Sequence, residues 1–226
     1  MKIDIFSGVL SFSLLVIFAG CGKDNYDAPE SVLSGRVVYE GQALDLRGSG
    51  EKVKLQLYQD GYQRHDPINV YVGQDGAFSA KLFDGKYKLV TADRTGPWVN
   101  SRDTMIVNVK GATTIDVPVI PFFTVSNASV SLVNNEMKTT FTINKIVPEA
   151  EIDRVILLLN STVFVDDQIN IMRKDFTDNV SPGTVNLSAD LTGNTTVSSA
   201  PVLYGRVCVW AKGADQGIYS PVVRLK

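Results

Sequence analysis

Short runs of alternating apolar and polar residues, separated by turn-forming residues, constrain the fold of this chain more than any other feature. In residues 53–59 (VKLQLYQ), every second side chain is aliphatic, which is the period of a half-buried strand. Similar runs are followed by Asp75-Gly76 and Asp84-Gly85, and Asp-Gly pairs favour tight hairpins. No stretch between these runs has a helical period over a useful length. The pattern predicts an all-β fold.

A break near residues 118–123 divides these runs into two series, because Pro118 and Pro121 cannot both continue a central strand. The first series is predicted over residues 34–39, 53–59, 68–72, 77–83, 86–92, 103–109 and 113–119. The second is predicted over residues 124–133, 137–146, 153–160, 169–174, 184–191, 203–212 and 219–225. We therefore expect two β-sandwiches in series, residues 31–120 and 121–226, with at most a short helical turn near residues 148–152.

The N-terminal residues have the character of a lipoprotein signal peptide. The apolar run at residues 5–19 is shorter than the roughly 20 residues that a spanning helix needs. It ends in Phe18-Ala19-Gly20-Cys21, which resembles the box cut by lipoprotein signal peptidase. We predict a signal peptide at residues 1–20, lipidation of Cys21 and a polar tether at residues 21–30. The alternatives are a secretory signal with an accidental cysteine and an N-terminal anchor helix.

Both predicted sandwiches resemble known modules. SGRVVYEGQAL and VGQDGAFSAKLFDGKYKLVTA resemble the carboxypeptidase regulatory-like domain, a transthyretin-like sandwich without a catalytic set. LYGRVCVWAKGADQGIYSPVVRL, at the end of the chain, resembles the last strands of fibronectin III or immunoglobulin-like sandwiches.

The chain as a whole resembles two-domain lipoproteins of Bacteroidota whose genes accompany Sus-type glycan-uptake systems. The features that carry this resemblance are CGKDNYDAP at residues 21–29, the Gly96-Pro97-Trp98 loop and the PFF boundary. Gly22-Lys23-Asp24 also resembles the Lys-plus-acidic signals that export such lipoproteins. The resemblance implies an outer-membrane lipoprotein that faces the cell exterior; an inward-facing lipoprotein is the alternative.

Composition and motifs argue against several function classes. A formal net charge of −2 gives no basic surface for nucleic acid. With Cys21 lipidated, Cys208 has no disulfide partner, and its apolar strand predicts a buried, inert thiol. His65 lies in a polar, turn-like stretch, and no enzyme, cofactor or phosphate motif is present. We therefore predict a protein that is not an enzyme and has no cofactor.

Four acids could in principle bind calcium, but their spacing lacks the regularity of a metal loop. We interpret them as solvated loop acids and predict no metal site. They are Asp166, Asp167, Asp175 and Asp178.

Aromatic side chains are the remaining candidates, since a flat ring stacks on the apolar face of a sugar. Trp98 lies between two predicted strands, and Arg94, Asn100 and Arg102 flank it. These four residues are the predicted ligand site, while the alternative is that Trp98 folds back to plug the sandwich. Trp210 is expected to pack in the core or at a domain interface.

The sequence therefore favours a non-enzymatic, membrane-anchored surface protein that binds oligosaccharide or a transport partner. The alternative function is a structural spacer or adhesin-like stalk without a small-molecule ligand. The tryptophans discriminate between the two, because a binding protein should expose aromatic rings in a concave patch and a spacer should bury them.

Overall fold

The fold comes from a computed structural model that describes residues 27–61, 65–101 and 103–226. Cys21 and the predicted signal peptide lie outside the described residues. Within them the chain is almost entirely β, as two sandwiches in series, which confirms the predicted fold class. None of the described helices is long and apolar enough to cross a membrane.

The first sandwich consists of two four-stranded sheets. In one, the central strand β1 pairs with β2 and β5 antiparallel and with β8 parallel; the other has the order β4-β3-β6-β7. The strands are β1 (Ser31–Tyr39), β2 (Gln42–Ala43), β3 (Lys54–Tyr58), β4 (Ile68–Tyr71), β5 (Ala77–Leu82), β6 (Gly85–Thr91), β7 (Met105–Val109) and β8 (Ala112–Pro118).

The inner faces follow the alternation in the sequence. Leu55 and Leu57 of β3 are fully buried while their neighbours along the strand are half-buried, as expected for a sheet with one face on a core. Gly35 in β1 meets a tighter constraint, since a Cβ there would come within 1.6 Å of the carbonyl oxygen of Ile115. The close parallel pairing of β1 with β8 therefore requires glycine at this position.

The second sandwich packs a three-stranded sheet, β13-β10-β9, against a sheet in which β12, β11, β14 and β15 are neighbours and β16 also pairs with β14. Its elements are β9 (Phe123–Val133), β10 (Glu136–Lys145), β11 (Ile152–Asn160), β12 (Met172–Phe176), β13 (Gly183–Asp190), α1 (Thr195–Ser199), β14 (Tyr204–Ala211), β15 (Ile218–Tyr219) and β16 (Val223–Arg224).

The helical turn is not where the sequence predicted it. Residues 148–152 contain no helix, and α1 instead follows β13, where the Asn194 side chain accepts a hydrogen bond from the backbone N–H of Val197. Asparagine is a favoured N-cap because it satisfies an otherwise free helical N–H. The strand predicted over residues 219–225 is also divided into β15 and β16, with Pro221 between them.

Strands β11 and β14, and the short β15 beside them, are buried on both faces. Their inner face joins the main core, while Ile156, Leu158 and Cys208 form a second cluster with Val165 and Tyr219. Val165 belongs to the irregular segment between β11 and β12, which covers the outer face of this sheet. The buried thiol predicted for Cys208 is thereby confirmed, and burial raises its pKa.

Candidate functional site

Trp98 is buried rather than displayed. Its side chain is only 2% exposed and belongs to the main core. Two backbone hydrogen bonds, from Val99 N to Ile120 O at 2.9 Å and from Phe122 N to Pro97 O at 3.0 Å, pair this segment with the interdomain linker and turn the ring inward. The predicted exposed platform at Trp98 is therefore wrong, and the alternative of a plug is the observed one.

The polar residues around Trp98 are exposed and lie together. Arg94 donates from Nε and Nη2 to the two carboxylate oxygens of Asp215, at 2.8 and 3.1 Å, and Asn100 Oδ1 accepts from the Arg94 backbone N–H at 2.9 Å. Arg102 lies outside the described residues. Arg94 therefore bridges the two sandwiches, while a role in ligand binding for Arg94, Asn100 and Arg102 stays a prediction.

A buried arginine forms the main polar contact between the sandwiches. Arg206 on β14 is 0% exposed and donates to the carbonyl oxygens of Ser220 (2.6 Å), Gln74 (2.9 Å), Leu46 (3.0 Å) and Val165 (3.1 Å). Its Nη2 also lies 3.4 Å from Asp45 Oδ1. Leu46, Gln74 and Asp45 belong to the first sandwich, so this one side chain ties the two domains together.

This contact extends into a wider network, which we call the interdomain polar core (Arg206, Asp45, Tyr219, Asp167 and Arg47). The Tyr219 ring lies 4.5 Å from the Arg206 guanidinium, and its hydroxyl donates to Asp167 Oδ1 at 2.7 Å. Asp167 Oδ2 lies 3.4 Å from Arg47 Nη1. Desolvation raises the pKa of Tyr219 well above its usual range, and Cys208 and Asp167 add to the effect.

The sequence analysis interpreted Asp166 and Asp167 as solvated loop acids. That interpretation is wrong, because both side chains are buried. Asp166 accepts hydrogen bonds from the Ser49 backbone N–H (3.1 Å) and hydroxyl (2.9 Å) across the domain boundary. Among the described residues, no three histidine, cysteine, aspartate or glutamate side chains are grouped to hold a metal ion.

A groove opens beside the polar core, between the end of β1 and the start of the second sandwich. Its volume is about 480 Å³, within the range of small-ligand sites, which often lie at domain boundaries. We call it the interdomain groove. Its lining residues are Tyr39, Glu40, Gln42, Ala43, Leu44, Asp45, Thr124, Val125, Ser126, Asn144, Ile146, Ile218 and Tyr219.

The first sandwich contributes an aromatic ring and two acids to this groove. Tyr39 is half-buried at the end of β1, and Glu40 and Gly41, at φ of 49° and 77°, form the two-residue hairpin turn to β2. Desolvation raises the pKa of Tyr39, and the neighbouring Glu40 carboxylate adds to this effect. Desolvation also raises the pKa of Asp45 to about 6, against the opposing effect of Arg206.

The second sandwich contributes neutral hydrogen-bonding groups. Asn144 Nδ2 donates to Thr124 Oγ1 at 3.1 Å and to Ser126 Oγ at 3.0 Å, which fixes the amide. A break in the β9–β10 register follows Ser126, with Asn127 at a φ of 53°; such bulges re-aim neighbouring side chains. The groove thus combines a ring, apolar walls, amides and hydroxyls, which suits a polyhydroxylated ligand.

A second, shallower hollow of about 710 Å³ lies at the opposite end of the first sandwich, beside the start of the described chain. It is lined by Asp27, Ala28, Glu30, Ser31, Phe83, Asp84, Lys110 and Gly111. Its only described aromatic side chain is Phe83, and its described lining contains no side-chain amide. We therefore favour the groove as the candidate site.

Sequence reasoning missed the interdomain groove because its parts lie far apart in the chain. The available local signal was Glu40-Gly41 after a strand, which indicated only a turn. His65, set aside as a loop residue, is exposed.

Two family models together match nearly all the described chain. Residues 31–120 match "Protein of unknown function (DUF3823) N-terminal domain", and residues 123–224 match "Domain of unknown function (DUF3823_C)". No curated protein matches the chain.

Solved structures match over the same span. A DUF3823 family protein from Parabacteroides merdae is 60% identical with a TM-score of 0.86, covering 88% of this chain and 100% of that one. One from Bacteroides ovatus is 31% identical, with a TM-score of 0.77 and coverage of 87% and 98%. A Bacteroides uniformis structure named "putative carbohydrate binding protein" is 19% identical, with a TM-score of 0.74 and coverage of 88% and 99%.

Proposed function

The chain belongs to the two-domain DUF3823 family, and on this premise we propose that it is a non-enzymatic accessory protein that binds an oligosaccharide in the interdomain groove. The carrying observation is the convergence of the half-buried Tyr39 ring with the fixed amide of Asn144 and the carboxylate of Asp45 in one groove. A ring offers a stacking face, while amide and carboxylate oxygens accept hydrogen bonds from sugar hydroxyls. The name of the Bacteroides uniformis structure supports the same ligand class.

We further propose the setting in which this binding occurs. Cys21 would carry the lipid, the protein would face outward from the outer membrane, and its partners would be proteins of a Sus-type glycan-uptake system. The first domain would be of the carboxypeptidase regulatory-like type and the second of the fibronectin III or immunoglobulin-like type. The support for this setting is limited to the source of related structures, which are DUF3823 family proteins from Parabacteroides merdae and Bacteroides ovatus.

The direction of β1 supports an accessible groove. The strand begins at Ser31, next to the tether, and its nine residues end at Tyr39 in the groove. At roughly 3.3 Å per residue, β1 carries the groove about 26 Å from the anchored end. A lipid at Cys21 would therefore hold the opposite end of the first sandwich near the membrane.

Glycan-array screening followed by calorimetry tests the binding proposal. Tyr39→Ala should weaken binding of any glycan found by about 1–3 kcal/mol, the scale of an aromatic anchor, without a comparable loss of stability. Tyr71→Ala is the matched control, because Tyr71 is exposed on the first sandwich away from the groove. Equal binding by wild type and Tyr39→Ala would refute the groove as the site.

The anchor is tested separately. Cys21→Ala should abolish lipidation and leave the protein soluble or uncleaved, as judged by membrane fractionation and mass spectrometry. Unchanged fractionation with a normally processed N-terminus would contradict the lipoprotein assignment. Protease shaving of intact cells reports whether the protein faces outward.

A spacer or stalk is the second candidate, favoured by the interdomain polar core and by the burial of Trp98, which is what the tryptophan criterion predicts for a spacer. A buried arginine with four carbonyl partners and a carboxylate neighbour fixes the angle between the sandwiches, as a rigid projecting element requires. This function predicts that Tyr39→Ala and wild type give the same results in glycan-binding and growth assays. It also predicts that loosening the Arg206 contacts impairs assembly with partners.

A further inference from the structure

We infer that the interdomain groove accepts uncharged oligosaccharides and rejects glycans that carry carboxylate or sulfate groups. The inference rests on the proposed glycan binding and adds to it the chemical class of the ligand. It follows from the charges that line the groove and from the contacts of Arg206, the cation beside Asp45.

The lining of the groove contains acids but no basic side chain. Glu40 and Asp45 are both lining residues, and among the described lining residues there is no lysine, arginine or histidine. Anionic sugars are ordinarily held by arginine or lysine, which supply charge-assisted hydrogen bonds. An anionic ligand would meet two carboxylates here instead.

The cation beside Asp45 cannot turn toward the ligand. Arg206 is fully buried behind Asp45, and its Nε, Nη1 and Nη2 atoms all donate to protein oxygens. Turning one of these donors toward a ligand would take a hydrogen bond away from a buried carbonyl oxygen, which is unfavourable. The Arg206 charge therefore stabilises the domain boundary and is not available to a ligand anion.

Asp45 has room for a donor from a neutral sugar. Its Oδ1 atom lies 3.4 Å from Arg206 Nη2, at the long limit of a hydrogen bond. The carboxyl is partly desolvated, and the negative charge of Asp75 adds to the rise in its pKa. A sugar hydroxyl could donate a hydrogen bond to this partly exposed carboxylate, whereas a carboxylate or sulfate would add like-charge repulsion.

The rejection should depend on pH. Arg206 on β14 and Asp75 in the turn before β5 act on the Asp45 carboxylate. Tyr219 on β15 donates its backbone N–H to the Asp45 carbonyl, and Glu40 is the other acid of the lining. With its raised pKa of about 6, Asp45 is ionised at pH 7.5 and mostly neutral at pH 5. Discrimination against acidic glycans should therefore be strongest above pH 6 and should weaken below it.

Matched pairs of glycans test the inference on the purified full chain. The probes are oligogalacturonides with and without methyl esters, and mucin-type glycans with and without sialic acid, printed together with neutral plant oligosaccharides. We expect each neutral form that binds to do so at least about tenfold more tightly than its acidic partner at pH 7.5, a difference of about 1.4 kcal/mol. The ratio should shrink at pH 5.

Two variants distinguish the effect of a charge in the groove from the effect of the overall charge of the protein. Glu40→Gln should raise the affinity for acidic forms several-fold, since it removes a carboxylate from the rim of the groove. Asp178→Asn removes the same charge from an exposed position outside the groove lining and should leave the ratio unchanged. Equal effects of the two variants would overturn the inference.

The outcomes also separate this inference from the proposed function. Tyr39-dependent binding of acidic and neutral forms with equal affinity refutes the charge selection alone. Binding of none of the printed glycans refutes the proposed function and the inference with it. Preference for neutral forms that narrows in Glu40→Gln and not in Asp178→Asn supports both.

Discussion

Arg206→Met is the substitution that most directly tests how the two sandwiches are held together. Methionine keeps an unbranched apolar side chain against Tyr219 but removes all the donors to Ser220, Leu46, Val165 and Gln74. Asp45 also loses its cationic neighbour. The variant thus isolates the loss of the guanidinium contacts from a gross loss of packing.

The expected cost follows from the number and burial of those contacts. Removing one partner of a buried ionic network costs about 3–5 kcal/mol, and each buried acceptor left alone about 1–3 kcal/mol. Not every acceptor loses all its donors in Arg206→Met, since the carbonyl oxygen of Gln74 also accepts a hydrogen bond from the Leu46 backbone N–H at 2.9 Å. We therefore expect a loss of about 3–5 kcal/mol, a large share of an ordinary stability of 5–15 kcal/mol.

Urea unfolding followed by tryptophan fluorescence measures this loss in each domain. Trp98 reports on the first sandwich and Trp210 on the second, so Trp210→Phe and Trp98→Phe backgrounds give one signal per domain. We expect coincident transitions with Arg206 present and separated transitions in Arg206→Met. Arg36→Met is the control, because its ion pair with Asp116 is exposed and such pairs contribute about 0–1 kcal/mol. A cost for Arg206→Met no larger than that of Arg36→Met would refute the reasoning.

Three further substitutions test other parts of the structure. Trp98→Ala should lower the free energy of unfolding by about 3–5 kcal/mol, because the ring is in the core; a melting temperature within 2 °C or so of wild type would contradict this placement. Gly35→Ala should prevent normal pairing of β1 with β8, since its Cβ would overlap the Ile115 carbonyl; native circular dichroism and melting would argue against it. Asp45→Asn should change how stability depends on pH. The raised pKa of Asp45 makes the folded wild type bind more protons than the unfolded chain between about pH 4 and 6, so the stability of wild type relative to Asp45→Asn should fall as the pH rises through that window, and a constant difference would count against it.

The local sequence pattern was sufficient to predict which side chains are buried wherever apolar residues alternate regularly along a strand. The alternation in residues 53–59 correctly placed Leu55 and Leu57 inside, and the apolar run around Cys208 correctly predicted a buried thiol. The ends of the strands, where irregular segments begin, were predicted less accurately. The strand predicted over residues 169–174 is observed as Met172–Phe176, because the preceding residues cover the outer face of the sheet instead.

The sequence by itself therefore determined the all-β class and most of the strands of the two sandwiches, since side-chain alternation and turn residues act over a few neighbouring positions. Only the tertiary structure decided that Trp98 turns inward, that Asp166 and Asp167 are buried, and that a groove forms between the domains. These features depend on contacts between distant parts of the chain, such as the hydrogen bond from Arg206 to Leu46, 160 positions apart. The sequence around a polar loop residue does not reveal such a partner, because the burial of that residue depends on how another domain packs against it.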